Sequence, residues 1–212
     1  LHKAIRRQRQ MCIRDSNYSI RKSVLQYDDV MNKQRELIYG QRRDILMGHD
    51  VRQNIIDMVH KLIDSTAERN FTGEGSFDWS IDDARDYLEK LCLKPGTFDR
   101  HADAIKTMDE PEELVKLLYA DAEAFYAERE ALLSGMGIDM REFERVVLLS
   151  AIDHHWMDHI DAMDDLKQGV RLQGYGNNNP VDVYKRESLD MFEEMVSAIQ
   201  DETVRRLYSV RL

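Results

Sequence analysis

An all-α fold is what this sequence predicts: a long scaffold-like helix, a small inserted helical subdomain and an antiparallel two-helix hairpin. Three observations predict it. Apolar residues recur at alternating steps of three and four in three long stretches, the period that keeps one seam of a helix facing a partner. Only 3 prolines interrupt the 212 residues. No run of alternating β-branched residues reads as a strand.

Composition bounds the function. With 42% hydrophobic and 33% charged residues the chain is globular and able to bury a core. Lys and Arg number 30 against 40 Asp and Glu, a net charge of −10, so the chain repels phosphate backbones and nucleic acid is not an expected partner. The short clusters Arg6-Arg7-Gln8-Arg9 and Gln41-Arg42-Arg43 read as solvated helix faces. No apolar run reaches the roughly 18 residues that a spanning helix needs, so a membrane role is expected to be peripheral. The 2 cysteines, Cys12 and Cys92, lack CxxC spacing, which suits a reducing compartment such as the cytoplasm.

Residues 1–16 are basic without a secretory apolar region, and Met11 to Ser16 matches neither flank, so this segment reads as atypical and as a junction. From Asn17 a helix is expected over 17–48, with Ile20, Val24, Tyr27, Met31, Ile38 and Ile45 on one seam and Gln34 and Gln41 at intervening positions. Gly48 suits its C-terminal cap and Asp50 the N-cap of the next helix, which runs through Ile55, Ile56, Met58, Val59, Leu62 and Ile63 to about Glu68. Asn70 to Ser76 reads as a loop. Ser80 with Asp83 resembles a capping box for a helix ending before Pro95-Gly96. Thr97 to Met108 shows no clear periodicity. Asp109 and Pro111 then open a helix through Leu114, Leu118, Ala122, Phe125 and Leu132 that closes at Ser134-Gly135. Residues 49–138 are thus the inserted subdomain.

The hairpin occupies 139–212. Asp139, with Glu142 three residues on, caps its first helix, whose seam is Ile152, Trp156, His159, Met163, Leu166 and Val170. Leu189, Phe192, Val196, Ile199 and Thr203 form the returning seam. Between them Leu172-Gln173-Gly174-Tyr175-Gly176-Asn177-Asn178-Asn179-Pro180 must turn, since its glycines and asparagines tolerate positive φ. Tyr175, flanked by glycines, is expected to stand exposed at the tip as a contact residue.

Reactive chemistry finds little support. His155 and His159 share a helical face near Asp158, but no glutamate of a metalloprotease and no third ligand is defined, so interface packing is the preferred reading. The acidic face Asp158, Asp161, Asp164 and Asp165 reads as solvated. Trp156 and the methionines Met157, Met163, Met191 and Met195 read first as packing residues. No GxSxG and no GxxxxGK[ST] occurs, so no catalytic, cofactor-binding or metal residue is expected.

Two stretches carry more than periodicity. Ile20 to Arg35, IRKSVLQYDDVMNKQR, resembles the start of the scaffold helix of the SecA family, the ATP-driven motors of bacterial protein export. Trp156 to Met163, WMDHIDAM, with Gly169-Val170-Arg171-Leu172 and Tyr184-Lys185-Arg186-Glu187-Ser188, resembles that family's two-helix finger. The resemblance covers Asn17 to Leu212 and is weak between Gly48 and Gly137, where the family has its helical wing. It implies a non-catalytic part of a protein translocase, with partners in a SecY channel complex, a preprotein and motor domains of the same parent chain. ATP and magnesium would belong to the parent, at the cytoplasmic face of the bacterial membrane, and homodimerisation of the parent stays open. By position, Leu172, Gln173, Gly174, Tyr175 and Gly176 match the polypeptide-contacting tip. Tyr27, Asp28, Asp29, Asn32 and Arg35 match the motor contact, and Trp156, His159 and Met163 the finger packing. The chain departs from the family at Gln173, usually arginine, and at Asn177-Asn178-Asn179, usually a Gln-Lys-Asp-like run.

Two other classes remain on the residues alone. One is a stand-alone helical adaptor or chaperone-like binding module, which motor domains upstream of Asn17 would argue against. The other is a helical metalloenzyme centred on His155 and His159, which metal analysis of the purified protein decides.

Overall fold

The computed structural model describes the backbone of residues 2–48, 51–72, 76–108, 110–173 and 179–209, and the side chains of these except 2–17, 19–20, 76 and 171–173. Seven α-helices account for almost all of it: α1 His2–Leu46, α2 Val51–Asn70, α3 Ile81–Leu91, α4 Thr97–Ile105, α5 Pro111–Gly135, α6 Met140–Gln173 and α7 Pro180–Tyr208. A single 3-10 turn, Ser76–Asp78, precedes α3, and no strand occurs among the described residues. The expected all-α class holds. Where the sequence places the start of the first helix at Asn17, α1 already runs from His2.

The chain divides into two compact units. The first comprises Leu1–Gln41 and His155–Met195, the second Arg42–His154 and Val196–Leu212. In the second, α2 packs on α5 and α3, and α3 on α4. Its interior is aliphatic, with Ile55, Ile63, Leu88, Leu114, Leu118 and Leu207 no more than 1% exposed. Tyr208 near the end of α7 closes this core by donating to the Ala122 carbonyl of α5 at 3.2 Å.

Helix ends follow local chemistry, with two departures. Gly48 has φ 81°, the left-handed value that a glycine reaches without a Cβ penalty, and ends α1 as expected. Ser80 precedes α3, but its hydroxyl donates to the Asp83 carboxylate at 3.2 Å and makes no side-chain bond to the helix backbone, so the capping box does not close. The stretch 97–108, without a visible period, contains α4. Its start is built by Glu89 of α3, whose carboxylate accepts the amides of Gly96 at 3.0 Å and Phe98 at 3.3 Å, while Gly96 takes φ 82°. A cap supplied from seven and nine residues upstream leaves no signature at the helix itself.

Two seams are rephased. In α5 the buried positions after Ala122 are Tyr126 and Leu133, whereas Phe125 is half-buried and Leu132 is 43% exposed. In α7 Leu189 is 54% exposed, and Ser188 and Met195 lie inside instead. Counting back from Thr203 and Ile199 in steps of four and three reaches Met195 and Ser188. Hydrophobicity draws the eye to Leu189, one residue or about 100° away.

Candidate functional site

In the first unit, the described parts of α6 and α7 that lead to the expected tip are seated on α1. The described seam of α1 runs through Val24, Tyr27, Met31, Gln34 and Ile38, because residues three and four apart share a helical face. Tyr27, Met163, Val170, Val181 and Tyr184 form a buried cluster, with Val30, Met31, Leu166, Val183 and Met191 packed against it. The Tyr27 and Tyr184 rings meet edge to face at 4.7 Å and 84°, a geometry worth about 0.5–1.5 kcal/mol beyond the area it buries. Burial, followed by the negative charges of Asp164 and Asp28 and by Tyr27, pushes the Tyr184 hydroxyl up to about 12, so it stays protonated at neutral pH.

A polar triad sits two turns further along α1, at Gln34. Gln34 is only 7% exposed; its Nε2 donates to the Ser188 carbonyl at 3.0 Å, and its Oε1 lies 3.0 Å from His159 Nε2. A carbonyl can only accept, which orients the amide, and the amide oxygen in turn requires a proton on His159 Nε2. The network therefore assigns the Nε2–H tautomer. Burial lowers the His159 pKa below its ordinary 6.5 and keeps the ring neutral at pH 7. Ser188 tolerates full burial because its hydroxyl donates back to the Lys185 carbonyl at 2.9 Å.

Of the residues expected to face motor domains, Tyr27 is turned inward onto Tyr184. Asp28 accepts from Lys167 of α6 at 3.1 Å, and that ammonium also lies 5.9 Å from the Tyr27 ring centroid. Both partners are partly exposed, so this pair contributes no more than about 1 kcal/mol. Asp29, Asn32 and Arg35 point to solvent, with Arg35 donating to Asn32 at 3.4 Å. Trp156, His159 and Met163 are buried where packing residues are expected. The Trp156 ring stands 6.4 Å from Tyr39 and 5.7 Å from His159, and His159 meets Phe192 edge-on at 5.9 Å. Val181 and Ser188 are inward positions outside the apolar seam that the sequence predicts, although the four-and-three spacing from Ile199 passes through Ser188.

At the turn, Leu172 and Gln173 belong to the last residues of α6, while Gly174, Tyr175 and Gly176 lie outside the described residues. Pro180 opens α7 rather than closing the loop: at the first helical position its missing N–H costs nothing. Asn179 is the cap. Its Oδ1 accepts the Val181 amide at 3.2 Å, and its Nδ2 donates to Asp182 at 3.0 Å. Asp139 does the same for α6, accepting the Arg141 amide at 2.9 Å.

The metal reading finds no third ligand. His159 Nε2 is engaged by Gln34, and among the described residues no group of three or more His, Cys, Asp or Glu side chains is placed to hold an ion. Asp158, Asp161, Asp164 and Asp165 are exposed. Cys92 is free and fully buried, its thiol pushed up to about 12 by burial, which makes it a packing group and not a nucleophile. No helix among the described residues is long and apolar enough to cross a membrane.

Helices α6 and α7 seated on α1 through buried aromatic and polar contacts define an all-helical module. Comparison with known proteins gives the family. A model described as the SecA wing and scaffold domain matches residues 1–211, so the chain belongs to that family; the match includes the segment 1–16 that the sequence sets apart. The chain is 41% identical over 208 residues to a protein named protein translocase subunit SecA from Desulforudis audaxviator, covering 94% of this chain and 22% of that one. It is 43% identical over 196 residues to the subunit of the same name from Alkaliphilus oremlandii, covering 92% and 21%. For that of Acetivibrio thermocellus the figures are 41% over 203 residues, 94% and 22%. The chain thus spans between a fifth and a quarter of the length of these relatives.

Proposed function

We propose that this chain is the non-catalytic scaffold, wing and finger portion of an ATP-driven protein translocase, coupling motor domains to a SecY-type channel at the inner face of the bacterial membrane. The scaffold helix is assigned to 17–48, the wing to 49–138 and the finger to 139–212. ATP and magnesium act in the parent's motor domains, and the preprotein is met by the tip, Leu172 to Gly176, with Tyr175 as the principal contact. Asp29, Asn32 and Arg35, exposed on α1, face the motor.

The observation that carries this reading is the bracing of α6 and α7 on α1 through Tyr27–Tyr184 and Gln34–His159–Ser188. A hairpin held in register transmits displacement along its axis instead of absorbing it by sliding. An aromatic at its end grips many sequences, because apolar area is less directional than hydrogen bonds. A photocrosslinker placed at Tyr175, in a full-length SecA motor carrying residues 17–212 and stalled with an export substrate, tests the proposal. An ATP-dependent crosslink to the substrate is expected. Active translocation with crosslinks only from other tip positions would move the contact away from Tyr175.

A further inference from the structure

The second unit carries a feature that the translocase reading does not use. Helices α2 and α5 run antiparallel, in a register marked by His60 Nε2 at 2.9 Å from Glu123 and by the Tyr119 hydroxyl donating to Asp64. The His60 and Tyr119 rings stack at 3.9 Å between those two pairs. Beyond them an open groove of about 490 Å³ follows the two helices, bounded by Asp64, Ala67 and Glu68 of α2, by Phe71 just past its end, and by Pro111, Glu112, Val115, Lys116 and Tyr119 of α5. That volume lies within the range of peptide-sized and ligand-sized clefts.

Its chemistry is two-layered. Ala67 and Phe71 are buried and Val115 and Pro111 half-buried, giving an apolar floor. Three carboxylates stand on the rims, Asp64 and Glu68 from one wall and Glu112 from the other, against the single cation Lys116. Among the described residues Glu68 and Glu112 are exposed and make neither a hydrogen bond nor an ion pair, so both are open to an incoming cation. An apolar floor between acidic walls is complementary to one arrangement above others: an apolar side chain with Lys or Arg one helical turn away on either side.

We infer that the groove between α2 and α5 docks a basic amphipathic peptide segment, seating an apolar side chain over Phe71 and Val115 and pairing its cations with Glu68 and Glu112. The site is built from α2, α5 and Phe71 and goes beyond the translocase reading, standing or falling independently of it. Wall carboxylates from two helices set the spacing of the basic residues, and the floor excludes purely polar chains.

The probe is a fluorescein-labelled, amidated 12-residue peptide of leucine and lysine with leucines at helical spacing, titrated with the 212-residue chain by fluorescence anisotropy. Saturable binding is expected, weakened at least tenfold by the double change Glu68→Lys and Glu112→Lys. Asp161→Lys with Asp165→Lys, an equal change of net charge on α6, is expected to leave Kd within twofold. A peptide with serine for every leucine is expected to bind at least tenfold more weakly. Equal losses from the two double variants, or equal binding of the serine peptide, would reduce the effect to attraction by a chain of net charge −10 and overturn the inference. Absence of binding by the unmodified chain would overturn it outright. Since Glu68 and Glu112 are exposed and unpaired, unchanged circular dichroism separates lost binding from lost fold.

Discussion

The two units solve the problem of holding helices together in different ways. The second packs mainly aliphatic side chains, Ile55, Ile63, Leu88, Leu114 and Leu118, and keeps most of its ion pairs at or near the surface, Arg42 with Asp153 at 2.9 Å and Arg100 and His101 with Asp121 at 2.9 and 2.6 Å, although the Glu144 carboxylate that Arg141 holds at 2.9 Å is fully buried. The first admits a glutamine, a histidine and a serine to its seam and satisfies each of them. Aliphatic contacts are nearly interchangeable after a slip of one turn, whereas Gln34 finds His159 and the Ser188 carbonyl in one register only. Apolar burial thus supplies most of the stability, and the polar triad supplies the alignment.

Breaking the apolar side should cost most. Leu118→Ala, at a position 0% exposed, is expected to destabilise the second unit by about 2–5 kcal/mol, measured by urea unfolding. Gln34→Leu roughly keeps the volume but strands His159 Nε2–H, while the Ser188 carbonyl in the middle of α7 keeps its helical amide partner; it is expected to cost about 2 kcal/mol. It should also broaden the amide resonances of α6 and α7 more than Leu118→Ala does. An unbroadened spectrum would detach register from the triad.

Acid sharpens the contrast. Because burial lowers the folded-state pKa of His159, the unfolded chain binds the proton more readily, and stability falls as pH drops through the unfolded value near 6.5 towards the folded one. Above pH 7 the contribution is fully present. Measured between pH 7.5 and 5.5, the stability of the native chain should therefore decline more steeply than that of His159→Gln, which has no proton to gain. The smallest effect is reserved for Tyr208→Phe, which removes one hydrogen bond, to Ala122, and should lower stability by about 1 kcal/mol.

How much of this was legible in the sequence differs element by element. The long helices and the burial of Trp156, His159 and Met163 follow from period, since a seam sustained over several turns has few alternatives. Helix α4 was hidden because Glu89 caps it from a distance. The α7 seam is misphased by apolarity alone because Ser188 is polar, and its burial rests on a hydroxyl bond back to the Lys185 carbonyl that no hydrophobic period marks. The heptad seam of the first helix already turns Tyr27 inward, whereas the resemblance gives it a motor contact; the Tyr184 ring against it agrees with the seam. Local chemistry thus announces helices, while the residues that align them are visible only when distant segments meet.

The claim that the polar triad aligns the hairpin on α1 is tested most directly by a double-mutant cycle on Gln34→Leu and His159→Leu, read by chemical denaturation. A coupling of at least about 1 kcal/mol is predicted, because removing either partner strands the other and removing both strands neither. Additivity within about 0.5 kcal/mol would contradict the account and leave Gln34 and His159 as neighbours that happen to touch.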